Sequence, residues 1–134
     1  MTTAPTVGVW AYAPKLVRNY LISKLDPAIR VATEVPANRP SLLVTITTAS
    51  TNGGNNIALS PRRVVIRCYH PNEAAAGELA ELVYAQMRSA QYTPGNGIRN
   101  VVDVGTPASF PDPDDSTPRF QMTLDILLRA TVNH

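Results

Sequence analysis

The sequence predicts an α+β fold, a mainly antiparallel β-sheet of four to five strands with two α-helices packed on one face. Three observations carry this prediction. Several segments alternate apolar and polar residues, two segments repeat apolar residues at helical spacing, and residues 1–134 fit one domain with a single core. Each predicted strand has one apolar face and each helix one apolar stripe, so both helices are expected against the same side of the sheet.

The first helix is predicted over residues 14–25, because apolar residues fall on one stripe and the lysines and arginines lie off it. A proline suits the first helical turn, and the pair Asp26 and Pro27 ends the helix. Prolines interrupt the segment that follows, so at most a short edge strand is expected within residues 29–35.

Two central strands are predicted over residues 41–50 (SLLVTITTAS) and residues 57–69 (IALSPRRVVIRCY), where apolar and polar residues alternate. The TNGGNN stretch between them supplies turn residues without apolar content, so residues 51–57 are expected to form a flexible loop. This loop is rich in glycine, but no Lys-Ser or Lys-Thr pair follows it and it precedes a strand. It is therefore not predicted to bind phosphate.

The second of these strands runs into a helix through a Cys-x-His sequence, Cys68 to His70. Alternation places Cys68 in the core row of the strand, and His70 stands at the strand end before a proline. Asn72 can cap the helix that follows, which is predicted from Glu73 to about Ala90. Because neither a partnered acid nor a second nucleophile accompanies the pair, a catalytic role is not expected.

The rest of the chain holds a short strand, a loop and the most regular strand of the sequence. Residues 98–107 (IRNVVDVGTP) give the short strand, and the Pro- and Asp-rich segment of about residues 108–118 is expected to project into solvent as a flexible loop. Its acids lack the glycine turn and distal glutamate of a calcium-binding EF-hand loop. Residues 119–132 (RFQMTLDILLRATV) alternate apolar and polar side chains and belong to the body of the sheet.

Composition narrows the functional classes. One cysteine and two histidines provide neither an internal disulfide nor the ligand spacing of a zinc site, so no metal or other cofactor is expected. No apolar stretch approaches a membrane span of about 20 residues and no signal peptide is recognised, which predicts a protein made in the cytoplasm without a membrane contact. The basic residues are not interleaved with aromatics, which disfavours a dedicated nucleic-acid-binding protein.

Charge is divided unevenly along the chain. Residues 1–67 hold eight Lys or Arg against two Asp or Glu, whereas residues 68–134 hold four against eight. If this polarity survives folding, copies of the chain would meet positive edge to negative edge, because complementary potentials guide association. Ordinary solvated charge explains the same counts, so both interpretations stay open.

Four features combine along the chain. They are the N-terminal amphipathic helix, the Thr-rich strand pair with its long loop, the strand and helix of residues 67–88 (RCYHPNEAAAGELAELVYAQMR), and the last strand, which begins RFQMTLDILLRA at residue 119. Together they resemble the small tail terminator proteins of long-tailed bacteriophages, particularly those that infect actinobacteria. The resemblance covers nearly the whole chain. It lies in the order of the elements and in the general residue character of each one.

This resemblance implies a structural virion protein at the head–tail junction, not an enzyme. Such proteins form a six-membered ring that caps the head-proximal end of the tail tube, stops its polymerisation and presents a surface to the capsid neck. The implied partners are further copies of this chain in a hexamer, the tail tube protein and the neck or stopper protein. DNA would pass through the lumen of the ring without being read.

Two loops are the expected contacts with tube or neck proteins, since loops on a rigid sheet commonly carry binding function. Their candidate residues are Thr51, Asn52, Gly53, Gly54, Asn55, Asn56, Asp112, Asp114 and Asp115. The candidate rim charges between subunits are Lys15 and Arg18 on the first helix and Glu78 and Glu81 on the second.

Other functions stay open at this point. Another head–tail joining protein, such as a stopper, a head completion protein or a minor tail protein, would share the physics of ring packing. A small α+β enzyme or ligand-binding domain would need a deep pocket with a perturbed titratable group. A regulatory module that binds nucleic acid would need a basic reading helix or strand, which the sequence lacks.

Overall fold

The structure, a computed structural model, describes residues 7–51 and 59–133. The predicted α+β fold is confirmed, with two helices and a mostly antiparallel sheet. In chain order the elements are β1 (Val7–Val9), α1 (Ala13–Lys24), β2 (Arg30–Ala32), β3 (Leu43–Ala49), β4 (Leu59–Tyr69), α2 (Glu73–Ser89), a 3-10 turn (Ala90–Tyr92), β5 (Ile98–Ser109), β6 (Arg119–Arg129) and β7 (Thr131–Asn133).

Five strands form the main sheet, in the order β2-β3-β4-β6-β5. β4 and β6 pair in antiparallel fashion along their whole length, from Leu59 opposite Arg129 to Tyr69 opposite Arg119. β3 pairs with β4, and β5 pairs with β6, in the same antiparallel sense. The short β2 pairs with β3 in parallel, which makes the sheet mixed.

Both helices cover one face of the sheet, as predicted. α2 lies over β4, β5 and β6, while α1 lies over β2, β3 and β4 and also contacts α2. A buried core fills the space between helices and sheet, and its fully buried members include Ile66, Val83, Met122, Leu124 and Ile126. Removal of such side chains from water is the dominant favourable contribution to the stability of this layered arrangement.

The ends of both helices agree with the sequence patterns, and a hydrogen bond joins the two helices. A proline occupies the first turn of α1, and the side-chain oxygen of Asn72 caps α2 by accepting a hydrogen bond from the Ala75 backbone nitrogen at 2.9 Å. The hydroxyl group of Tyr20 in α1 donates to the Gln86 carbonyl oxygen in α2 at 2.8 Å. This bond fixes the two helices to each other above the sheet.

The opposite face of the sheet is covered at one end. There Ala32, Leu43 and Tyr69 form a second, smaller buried cluster. Arg39, which follows β2, lies over the Tyr69 ring with its guanidinium carbon 5.1 Å from the ring centroid. Alternation places Tyr69 on this face, but its burial depends on a covering segment that has no regular pattern.

Two features depart from the sequence-based predictions. β5 is a long strand of 12 residues instead of a short one, and its pairing with β6 contains register shifts, one of them between Ile98 and Asn100. β1 and β7 form a separate antiparallel ribbon. The sequence does not predict this ribbon, because three-residue strands are too short to show an alternating pattern. In the described ranges no helix has the length and hydropathy to cross a membrane.

Candidate functional site

The Cys-x-His sequence at the end of β4 has a structural role in the turn to α2. Cys68 is fully buried, and burial raises the pKa of its thiol to about 12, so the thiol stays protonated near neutral pH. His70 accepts a hydrogen bond at Nδ1 from the Asn72 backbone nitrogen at 3.0 Å, and its own backbone nitrogen donates to the Pro118 carbonyl oxygen. The thiol is therefore unsuited to act as a nucleophile.

The loop predicted over about residues 108–118 is shorter than expected, because β5 runs to Ser109, and it is held against the body of the protein instead of simply projecting into solvent. The guanidinium group of Arg39 donates to the carboxylate of Asp112 at 2.8 Å, to the carboxylate of Asp115, and to the Thr117 hydroxyl oxygen at 2.8 Å. Among the described residues, no group of His, Cys, Asp or Glu is arranged to hold a metal ion. Two of the three loop acids thus serve to fix the loop.

Local hydrogen bonds shape this loop further. The backbone nitrogen and the side chain of Thr117, followed by the Arg39 guanidinium, hold the pKa of Asp115 below its usual range. The backbone nitrogen of Asp114 donates to a carboxylate oxygen of Asp112 at 2.9 Å. The Asp114 carboxylate itself is exposed and has no ion-pair partner in the described part of the chain. It is the loop acid that is free to meet another protein.

The other predicted contact loop lies mostly outside the described residues. Thr51 is half-buried just after β3, whereas Asn52, Gly53, Gly54, Asn55 and Asn56 belong to the part of the chain that is not described. The prediction that residues 51–57 contact a tube or neck protein therefore stays a prediction.

One free edge of the main sheet, formed by α1 and β2, is rich in positive charge. Lys15 is exposed on α1, and Arg18 donates from Nε to a backbone carbonyl oxygen of β2 at 3.3 Å. Arg30 on β2 is also exposed, and Glu34 is the acid beside them. Ile22 adds an exposed apolar side chain on α1. We call Lys15, Arg18, Ile22 and Arg30 the basic edge.

The opposite edge, formed by α2 and β5, is rich in negative charge. Glu78 and Glu81 are exposed on α2, and neither has an ion-pair partner among the described residues. Asp103 on β5 accepts a hydrogen bond from the Tyr84 hydroxyl at 2.7 Å and lies 3.5 Å from the Arg88 guanidinium. The bond to Asp103, with burial and nearby charge, raises the pKa of Tyr84. We call Glu78, Glu81 and Asp103 the acidic edge.

β5 adds apolar surface to the acidic edge. Val102 and Val104 are exposed by 51% and 46%, and β5 has a strand partner on one side alone within the described chain. Unpaired backbone groups next to exposed apolar side chains form a template for contact with another chain. Alternation in the sequence identifies the two valines as neighbours on one face, but it does not show that they face solvent.

Arg63 and Arg67, on the central part of the open face of the sheet, are satisfied within the molecule. Arg63 makes two hydrogen bonds to the Asp125 carboxylate, at 2.8 Å and 3.0 Å. Arg67 donates to the Gln121 side chain at 3.0 Å and to the Thr47 hydroxyl at 3.2 Å. The central part of this face is therefore a hydrogen-bonded polar surface and not a free basic patch.

The structure thus separates the predicted rim charges into two groups. Lys15 and Arg18 lie at the basic edge, while Glu78 and Glu81 lie at the acidic edge, so the two pairs are not brought together within one molecule. No known protein-family model matches the chain, and a comparison with curated proteins finds no significant match.

Proposed function

We propose that this chain is a structural protein of the phage virion, a tail terminator whose copies form a ring at the head-proximal end of the tail tube. One observation carries the proposal: the basic edge and the acidic edge lie at opposite sides of one open sheet. Head-to-tail contact between identical subunits requires such unlike edges. The resemblance in element order suggests which kind of ring it is.

In this arrangement each subunit uses one edge toward one neighbour and the other edge toward the next. Such heterologous contacts give a closed ring when the rotation between neighbours closes on itself. Opposite charges orient the two edges, and contact would remove Val102, Val104 and Ile22 from water. The ring would cap the tube, stop its growth and join the capsid neck, with DNA passing through its lumen unread.

Native mass spectrometry of the purified chain, alone and mixed with tail tubes assembled from the candidate tube protein, tests the proposal. We expect a six-membered ring, or density added at one tube end with growth arrested in negative-stain images. A ring that forms but does not bind tube ends would indicate that the chain is a stopper or another head–tail joining protein. A stable monomer that neither binds tubes nor blocks their growth would contradict both roles.

Two charge reversals separate the ring contact from the tube contact. Glu81→Lys reverses a charge of the acidic edge, so we expect fewer rings and a ring yield that depends less on salt than in the wild type. Asp114→Lys makes the same charge change on the loop, so we expect rings of wild-type mass with weaker capping of tubes. Glu81→Lys rings as abundant as those of the wild type would show that these edges do not form the contact.

A further inference from the structure

A further charged surface lies at the open end of the β5–β6 hairpin, away from the acidic loop that joins the two strands. It is an open cleft of about 690 Å³, formed by the 3-10 turn after α2, the segment that leads into β5, and the ends of the two strands. The lining comprises residues 91–99 and Arg129. This volume accommodates a few side chains of a bound segment.

A β-bulge places one of the two cationic residues in this cleft. Ile98 lies opposite Leu128 and Asn100 lies opposite Leu127, so Arg99 is an extra residue without a cross-strand partner. Bulges re-aim side chains and are frequent beside functional sites. Arg99 lines the cleft from this bulge and Arg129 lines it from the end of β6, and both are exposed.

Neither arginine is neutralised by the described parts of the molecule. Within residues 7–51 and 59–133, no hydrogen bond or ion pair holds Arg99 or the guanidinium of Arg129, and no Asp or Glu lines the cleft. Arg63 and Arg39 differ, because each is paired with carboxylates. Two unpaired guanidinium groups in one cleft repel each other and favour a ligand that brings negative charge.

The wall of the cleft is fixed by its own hydrogen bonds. Asn96 donates to the Ala90 carbonyl oxygen at 2.8 Å and accepts from the Ile98 backbone nitrogen at 2.8 Å. Gly95 and Gly97 have φ values of +88° and +81°, a left-handed conformation that favours glycine. A wall of this kind holds the cleft open without a ligand and lowers the entropic cost of binding.

We infer that this cleft binds an acidic segment of a partner polypeptide, with carboxylates paired to Arg99 and Arg129. Guanidinium groups match carboxylates in a two-pronged geometry. The exposed ring of Tyr92 and the ring of Pro94 offer apolar contact beside the charges, which suits a segment that mixes Asp or Glu with apolar residues. The inference does not depend on ring formation.

Two other occupants fit less well. The acidic loop of a second copy has already used Asp112 and Asp115 to bind Arg39, so it offers one free carboxylate, that of Asp114. Single-stranded nucleic acid needs a longer basic track with several stacking aromatics. The cleft lining provides two arginines and one aromatic ring, which matches a short acidic peptide better.

Fluorescence anisotropy with the labelled peptide Gly-Asp-Leu-Asp-Ser-Asp-Leu-Asp-Gly tests the inference. We expect the wild-type chain to bind this peptide. We expect no detectable binding of the same peptide with Asn in place of Asp. Arg99→Gln and Arg129→Gln should each weaken binding by about tenfold, since each removes a charge-assisted hydrogen-bonding group. Tyr92→Ala should weaken binding less, because it leaves both charges in place.

Arg67→Gln is the matched control, because it removes one positive charge from the open face of the sheet, outside the lining of the cleft. Its dissociation constant for the peptide, calculated per chain, should stay within about twofold of the wild-type value. Equal binding by the wild type and by Arg99→Gln and Arg129→Gln would overturn the inference, as would absence of peptide binding. Tighter binding of a thymidine oligonucleotide than of the peptide would overturn it in favour of nucleic acid.

Discussion

At the scale of single residues, Cys68 shows how burial changes side-chain chemistry. Its thiol has a pKa of about 12 in the folded chain, against 9.0 for an exposed thiol. Between these values the unfolded chain has lost this proton and the folded chain keeps it, so the free energy of unfolding falls as pH rises through that window. A Cys68→Ala variant lacks this dependence but should be about 1 kcal/mol less stable at neutral pH.

Urea unfolding of both proteins, near neutral pH and again at about pH 10, measures the difference. The two stabilities should converge as the pH rises, because other titrating groups are common to both proteins. A constant difference between the wild type and Cys68→Ala would mean that the thiol titrates in the folded chain as readily as in the unfolded chain.

Arg39 joins three parts of the molecule: the segment after β2, the Tyr69 ring and the loop acids Asp112 and Asp115. An Arg39→Gln substitution should lower the free energy of unfolding by about 1–2 kcal/mol, because the half-buried Asp112 loses its cationic partner. The figure is modest because 23% of the Arg39 side chain is exposed and water screens the charge.

Asp114→Asn is the control for this loop, since its carboxylate has no internal partner in the described chain. Its stability should stay within about 0.5 kcal/mol of the wild type in the same urea titration. Equal unfolding midpoints for Arg39→Gln and Asp114→Asn would show that the Arg39 contacts do not stabilise the fold.

At the scale of elements, the start of α2 depends on its cap. Asn72 satisfies the Ala75 backbone nitrogen, and Glu73 in the first turn complements the helix dipole. Asn72→Ala should lower the free energy of unfolding by about 1 kcal/mol, whereas Asn72→Asp should leave it nearly unchanged because Asp caps equally well. Thermal unfolding followed by circular dichroism compares the three proteins, and equal midpoints would show that the cap contributes nothing.

Elements with a long regular pattern were predictable to within one or two residues. The helix expected over residues 14–25 is Ala13–Lys24, and the last strand of the main sheet begins at Arg119 as expected. The full length of β5 was not predictable, because its register shifts interrupt the alternation of apolar and polar residues. The parallel pairing of β2 leaves no local signal either, since three residues carry no period.

The candidate site was predictable in its charges but not in its geometry. Lys15, Arg18, Glu78 and Glu81 were identified from their places off the apolar stripes of two helices. Which edge each helix occupies follows from the strand order, and one sequence does not specify that order. Arg39 was missed for the same reason, because its partners at Asp112 and Asp115 are distant in the chain.

At the scale of the whole molecule, the uneven charge of the sequence survives folding in part. The first half of the chain supplies α1 and β2 at one side of the sheet, and the second half supplies α2 and β5 at the other. Arg63 is an exception, because it is paired with Asp125 across the centre of the sheet. The two edges remain unlike, and this difference is what a head-to-tail assembly would use.

The central place of β6 has a consequence for the order of events during synthesis. β6 is the last strand of the main sheet to leave the ribosome, yet it lies between β4 and β5 and pairs with both. Until residues 119–129 emerge, β4 lacks one of its two strand partners, and β5 lacks the strand with which it pairs in the described sheet. The main sheet is therefore completed late in synthesis, and until then the unfinished chain exposes unpaired strand edges of the kind that promote aggregation.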